Sequence, residues 1–436
     1  MIQYRLPTIS LLTGMLAACS WTVDMREGQG GPAETRADSN EEILVSGQLS
    51  YPERIALPSD GQMLVVIQAV DEAGPLPIAG YRMALDGSQV PLPFALGFRP
   101  ETGRPVVHEL IAQVRHDDRL LRQTDPVLLG TDPASIELGR IHLKAVEAAD
   151  FGRAWRCGSH RVRFDRLGTR PRLAIDGRIF DLEQVPAASG VRHQVPGNAG
   201  IGVHEKGDDF LVIHNGARLP ECREAAAPEV PLTALGHEPA WQLQIDETRL
   251  RLTTDYGESV IEMPRLYTGR RGWTTRYRGA DAAGGLIATL RERVCRDSAT
   301  GMPHPFEAEV LTGLETFTGC GGNPAELLTG GRWRIKHIDE VPVETKAELF
   351  FEFTDDGQVR GRAGCNQFTA DYRLTGERLA IEDPARTLMA CSDALMALEQ
   401  RILERLATVD RFEINERGGL GLIGRNGRID AVRPAP

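Results

Sequence analysis

Apolar positions in this chain fall mostly in short alternating runs separated by turn residues; only one stretch, near the end, steps by three and four. Leu44–Tyr51 alternates, Met63–Val70 reads as a buried strand, and Pro58-Ser-Asp-Gly61 is a turn. Pro91-Leu-Pro-Phe94 suits a sheet edge, where a missing N–H does no harm. Further strand-like runs are Arg161–Phe164, Arg172–Ile175, Phe210–Ile213, Trp241–Ile245 and Arg249–Leu252, with Asp176-Gly177 and Asn215-Gly216 as hairpin turns. Leu395, Leu398, Ile402, Leu406 and Val409 predict one amphipathic helix with Ser392 as its cap, followed by strands at Phe412–Ile414 and Leu420–Ile423. The pattern predicts a mainly β protein. A β-sandwich is expected over 43–146, a small β-barrel over 151–224, a further β domain over 235–322, and an α+β domain with one amphipathic helix over 328–434.

The remaining stretches read differently. Residues 1–18 hold an apolar run, Leu6–Leu16, behind Arg5; it is too short to span a bilayer comfortably and reads as a secretory signal. Ser20–Glu42 is rich in Gly, Glu, Asp and Ser without apolar periodicity, so 19–42 is expected to be a flexible tether. Such a tether has a mean reach of about 25–30 Å. Ala225–Ala234, rich in Ala and Pro, reads as a linker.

At 436 residues the chain is too long for one core. A net charge of −11 without a basic stretch argues against nucleic acid as a partner. The seven cysteines divide into one and six. Six form local pairs, Cys157 with Cys222, Cys295 with Cys320, and Cys365 with Cys391, the simplest of fifteen pairings. Bridges closing loops of this size stabilise by roughly 3.5–4.3 kcal/mol each in the chain-entropy model. The seventh, Cys19, ends Leu16-Ala17-Ala18-Cys19. That motif resembles the bacterial lipobox, which implies cleavage before Cys19 and acylation of its thiol. Ser20 in place of Asp resembles lipoproteins forwarded to the outer membrane, facing the periplasm, with membrane lipid held through Cys19.

Three further resemblances rest on residue motifs. Gly47-Gln-Leu-Ser-Tyr51-Pro-Glu-Arg54, Val90-Pro-Leu-Pro93-Phe94 and Arg119–Asp125 resemble the YbaY/YscW-type lipoprotein domain, known as chaperone- or pilot-like and carrying no catalytic residue. Trp155-Arg156-Cys157, Ser189-Gly190-Val191-Arg192 and Lys206-Gly207-Asp208-Asp209, with Cys222 closing, resemble the membrane-bound inhibitors of c-type lysozyme (MliC). Trp333-Arg-Ile, Ala363-Gly364-Cys365-Asn366-Gln-Phe368 and Met389-Ala-Cys391 resemble the META (HslJ-type) domain. Cys295–Ser298 to Phe317–Cys320 resembles an unnamed envelope domain without an assigned function.

Enzyme motifs are sparse. The chain has no His-Glu-x-x-His, Cys-x-x-Cys or Gly-x-Ser-x-Gly. Gly419-Leu-Gly421-Leu-Ile-Gly424 fits a dinucleotide fingerprint but lacks room for the helix and strand a phosphate site needs, so a terminal hairpin is expected. Asn366 beside Cys365 is expected to be structural, because a disulfide cysteine has no thiolate to offer. His193 and His204 flank the Ser189 loop without a third ligand at metal spacing. The chain is therefore expected not to be an enzyme and to carry no cofactor or metal.

The inhibitor resemblance implies a lysozyme-binding set of Ser189, Gly190, Arg192 and Lys206. A c-type lysozyme cuts with two carboxylates across a cleft. A hydroxyl and an ammonium on protruding loops could bond both and exclude substrate. Two features depart from that family: His193 stands at a tyrosine position, and Gln194–Gly200 is a few residues longer, enough to shift Lys206 relative to Ser189. Residues 151–223 carry twelve Lys and Arg against eight Asp and Glu, so long-range steering toward a basic lysozyme is absent. The expected function is lysozyme inhibition by an outer-membrane lipoprotein. The alternative is a chaperone-like or envelope-integrity scaffold.

Overall fold

The computed structural model describes residues 25–27 and 42–433 apart from 102, 118, 132–133, 147–150, 167–169, 283 and 314. The signal segment and the Cys19 lipobox lie outside the described residues. Strands dominate, as expected, and arrange in four successive groups.

The first group is a sandwich. Ile43–Ser50 pairs antiparallel with Leu92–Phe98 and parallel with Ser135–His142, making one small sheet. A larger sheet runs through Gly74–Ala84, Gln62–Asp71, Val107–His116 and Arg119–Gln123. Val45, Leu49, Met63, Val65, Ile67, Leu92, Phe94 and Leu110 fill the space between them. Leu92–Phe98 is an edge strand, so the missing N–H of Pro93 opens no gap in a ladder. The tether expectation needs one correction. Met25–Glu27 pairs in parallel with Gly80–Arg82, because the edge of Gly74–Ala84 offers free backbone groups to any extended segment.

The second group, 153–224, differs from the single small barrel expected. It forms two five-stranded sheets that face each other across Trp155, Phe164, Leu173, Val203, Phe210 and Val212. The ladder stops where Arg178–Asp181 passes through buried Leu182 to Glu183–Val185, which belongs to the other sheet. Core side chains, rather than a continuous hydrogen-bonded wall, therefore join the halves. Asp176 and Asn215, each followed by glycine, have positive φ at their hairpins, as an Asx-Gly turn requires.

The fully closed barrel comes next. Eight strands from Leu232–His237 to Glu315–Gly321 close on themselves, with Leu235 opposite Cys320 at the seam. The first strand starts inside the stretch read as linker, because Leu232 and Ala234 point into the barrel core.

In the last group a ten-stranded sheet curls until Leu379–Ile381 nears Val409–Ile414, with helix Asp393–Leu406 against it. Ile402, Leu403 and Leu406 enter the core around Trp333, Phe351 and Phe353. Two details of the helix differ from expectation. Ser392 sits at the N-cap, but its side chain makes no capping bond. Val409 opens the next strand instead of ending the helix. Leu420–Gly424 and Gly427–Val432 form the terminal hairpin that holds the glycine-rich motif.

The barrel touches every other group. Val70 and Val107 of the sandwich pack on Ala280 and Ile287 of the barrel. This strand serves both: Met63, Val65 and Ile67 fill the sandwich and Val70 meets the barrel. Gly272 N–H donates to the carbonyl of Gly152 in the second group at 2.8 Å. Met302, beyond the Cys295 strand, inserts into the core of the last group, and Arg296 reaches Glu413 at 3.1 Å.

Candidate functional site

The residues implied in lysozyme binding are brought together at one edge of the second sheet of 153–224. Glu183–Val185, Val191–Val195, Asn198–Lys206 and Asp209–His214 are sequential antiparallel neighbours. The loop 186–190 and the turn after Lys206 therefore lie at the same end. Ser189, Gly190 and Lys206 are all exposed.

Gly190 sets their proximity. Its φ is +70°, and a Cβ there would sit 2.2 Å from the Glu205 carbonyl oxygen and 3.1 Å from the Lys206 Cβ. Only glycine lets the loop fold this close to the turn. His204 Nε2 lies 2.7 Å from the Ser189 carbonyl oxygen and fixes the loop from below. Arg192 is directly opposite His204 and half-buried, so it supports this edge from one residue further in.

The longer stretch Gln194–Gly200 leaves this end undisturbed. A bulge between Gln194 and Val195, and the turn that follows, absorb the extra residues at the far end of the hairpin. From Val191 opposite Glu205 to Gln194 opposite Gly202 the register is regular. Charge at the edge is mixed: Lys206 shares its turn with exposed Asp208 and Asp209, and Arg166 lies 3.7 Å from Glu205.

His193 does not flank the loop. It is buried against Phe164, with ring centroids 5.3 Å apart, and burial together with the nearby Arg166 charge holds its pKa below the ordinary imidazole value. Among the described residues no cluster of three or more His, Cys, Asp or Glu side chains could hold a metal ion.

Cysteines pair as read from their spacing: Cys157–Cys222, Cys295–Cys320 and Cys365–Cys391. Asn366 is a clamp. Its backbone N–H and Nδ2 donate to the two oxygens of buried Glu399 at 2.9 and 3.0 Å, and its Oδ1 accepts from Met389 N–H at 2.7 Å. Gly364 leaves room for Glu399, whose Cβ would be 2.7 Å from any Cβ at that position. Sequence reasoning missed Glu399, whose only signal was a carboxylate on the apolar face of the helix.

Two segments match known families. Residues 326–435 match the META domain model. Residues 41–136 match the model of the type III secretion system lipoprotein chaperone (YscW). No curated protein matches significantly. Among solved structures, an alternative pilotin from the type II secretion system of Vibrio cholerae is 28% identical, covering 25% of this chain and 100% of that one, with a TM-score of 0.23. A protein from Burkholderia xenovorans solved by NMR is 22% identical, covering 26% and 90%, with a TM-score of 0.23. These matches do not bear on the lysozyme-inhibitor resemblance of 151–224. The chain thus carries a YscW-type lipoprotein-chaperone segment and a META segment, and together they point to a lipoprotein or envelope-associated role.

Proposed function

We propose that the protein is a lipid-anchored scaffold of the outer membrane that binds other envelope proteins without transforming a substrate, its sandwich serving in the chaperone role. The YscW match supports that role. The observation that carries the scaffold reading is the sandwich–barrel junction. Glu109 of the sandwich is 0% exposed and accepts from both Nε and Nη2 of barrel Arg278, each at 2.8 Å. Beside it, Asp125 of the sandwich meets Arg276 and Arg291 of the barrel at 3.4 and 3.1 Å. Such contacts hold the segments as one body able to present several faces at once. The test uses the full-length soluble Cys19→Ser protein, added while an unfolded outer-membrane protein is diluted from urea. Light scattering is expected to fall in proportion to the added protein. Unchanged scattering removes the chaperone role.

A second reading is favoured by the Gly190 geometry: the edge with Ser189 and Lys206 plugs the active-site cleft of a c-type lysozyme. Protection of a bacterial cell-wall suspension from lysozyme by the same soluble protein tests it. Lysis at the uninhibited rate leaves only the scaffold.

A further inference from the structure

Two of the three disulfides join strands, and the third joins loops. Cys157 lies directly opposite Cys222 in a ladder, and Cys295 and Cys320 each lie in a strand. Each of these bridges has one buried residue, Cys157 at 0% and Cys320 at 3% exposure. Cys365 instead stands between Gln358–Arg362 and Gln367–Leu374, and Cys391 precedes helix Asp393–Leu406. Both are only half-buried, and residues 385–390, which lead to Cys391, are all exposed. Thiol–disulfide exchange depends on access to the sulfur attacked, so this bridge is the open one.

Its two sulfurs are not equivalent. The Met389 carbonyl oxygen lies 3.5 Å from Cys365 Sγ and 3.8 Å from Cys391 Sγ and does not separate them. Asn366 does, because its Nδ2 donates to Cys365 Sγ at 3.6 Å. A donor at that sulfur stabilises negative charge on it, and the thiol that ionises more easily leaves faster. The nearby Glu399 carboxylate opposes this charge, but it is already engaged by Arg386 at 3.2 Å and twice by Asn366.

Opening the bridge leaves the loop held. Asn366 Oδ1 accepts from Met389 N–H at 2.7 Å and from Thr387 Oγ1 at 2.8 Å, and its Nδ2 donates to the Met389 carbonyl oxygen at 3.2 Å. The cysteines therefore stay within reach of each other, and closure is as available as opening.

We propose that Cys365–Cys391 is a site of reversible exchange with a small thiol of the glutathione class. The thiolate attacks Cys391 Sγ and forms a mixed disulfide there. The Cys365–Cys391 bond breaks, and its electron pair leaves on Cys365, which takes a proton from water. A second thiolate then attacks the bound thiol's sulfur, releasing the small disulfide and leaving Cys391 to take a proton. Two small thiols are oxidised and one protein disulfide is reduced; the small disulfide reverses the sequence. The proposal needs neither the scaffold nor the plug reading to be correct.

The test exposes the full-length soluble Cys19→Ser protein to millimolar reduced glutathione, quenches with acid at intervals, alkylates free thiols and maps the peptides by mass spectrometry. Cys365–Cys391 is expected to open at least tenfold faster than the other two bridges. Early samples should carry glutathione on Cys391 and the alkyl group on Cys365, with an unchanged far-ultraviolet circular dichroism spectrum. Oxidised glutathione should restore the bridge. Equal rates at the three bridges, or earlier opening of Cys157–Cys222 or Cys295–Cys320, overturns the site. Glutathione found on Cys365 overturns the direction of attack, and loss of the strand signal on opening overturns the reversible local exchange.

Discussion

The barrel of 232–321 and the two-sheet segment before it are built from similar strands, yet they solve the edge problem in opposite ways. The barrel pairs every strand on both sides, and its outer face is covered by neighbours at Ala280, Ile287 and Arg278. The two-sheet segment leaves a seam open at Leu182 and holds its loops in solvent at Ser189 and Lys206. Closure gives a rigid hub and leaves little surface for others. An open seam sacrifices hydrogen bonds in the ladder and gains a groove and an exposed edge for contact. One buried ion pair, Glu109 with Arg278, ties the hub to the sandwich, whereas Lys206 stands exposed on the presenting segment.

The strongest way to break this comparison is at the hub. Arg278→Ala leaves Glu109 fully buried without its cation, and removing one partner of a buried pair typically costs about 3–5 kcal/mol. The expected outcome is a lower urea midpoint, or a separate early transition as the sandwich parts from the barrel. Pairing Arg278→Met with Glu109→Gln should recover much of the loss, since no charge is then stranded. An unchanged midpoint in Arg278→Ala would mean the junction is not the structural tie.

On the presenting segment the same size of effect should appear in binding and not in stability. Lys206→Ala is expected to weaken lysozyme inhibition by about 2–5 kcal/mol, roughly thirtyfold or more, because a charge-assisted contact in a partly dehydrated cleft is lost. Its melting temperature should stay within the scatter of wild type, as an exposed turn lysine contributes little to the fold. Equal inhibition by wild type and Lys206→Ala removes the plug mechanism.

The difference between the two regions also explains what was legible beforehand. Local features were readable: alternating runs, the Asx-Gly hairpins, the helix around Ile402, and the cysteine pairs, whose partners lie within one segment. The Ser189–Lys206 edge was readable as residues but not as geometry, since their approach depends on a positive φ at Gly190 and on where the bulge near Gln194 falls. Long-range pairs were hidden. Glu109 and Arg278 are 169 residues apart, and nothing local marks either as buried. Which segment closes into a barrel was hidden too, because closure depends on the first and last strands meeting, as Leu235 meets Cys320.

Gly190→Ala tests the geometry while leaving the Ser189 hydroxyl and the Lys206 ammonium in place. A Cβ 2.2 Å from the Glu205 carbonyl at a φ of +70° forces the loop away from Lys206. Strain of this kind costs on the order of 1–3 kcal/mol. If the edge acts as one unit, inhibition should fall although Ser189 and Lys206 are both intact. Inhibition unchanged by Gly190→Ala would show that the two loops act independently.

The smallest effect is expected at Ser189. Its hydroxyl is neutral, and a neutral hydrogen bond contributes about 0.5–1.5 kcal/mol net, against the larger figure for an ammonium among carboxylates. The loop itself is held through the Ser189 backbone, whose carbonyl oxygen meets His204 at 2.7 Å, so Ser189→Ala removes the hydroxyl and leaves the loop in place. Lysozyme titrated with wild type, Ser189→Ala and Lys206→Ala should rank in that order of decreasing inhibition. His204→Ala separates position from contact: it frees the Ser189 carbonyl while keeping the hydroxyl. A loss in His204→Ala larger than in Ser189→Ala would assign the loop's contribution to its placement. The reverse order would assign it to the hydroxyl.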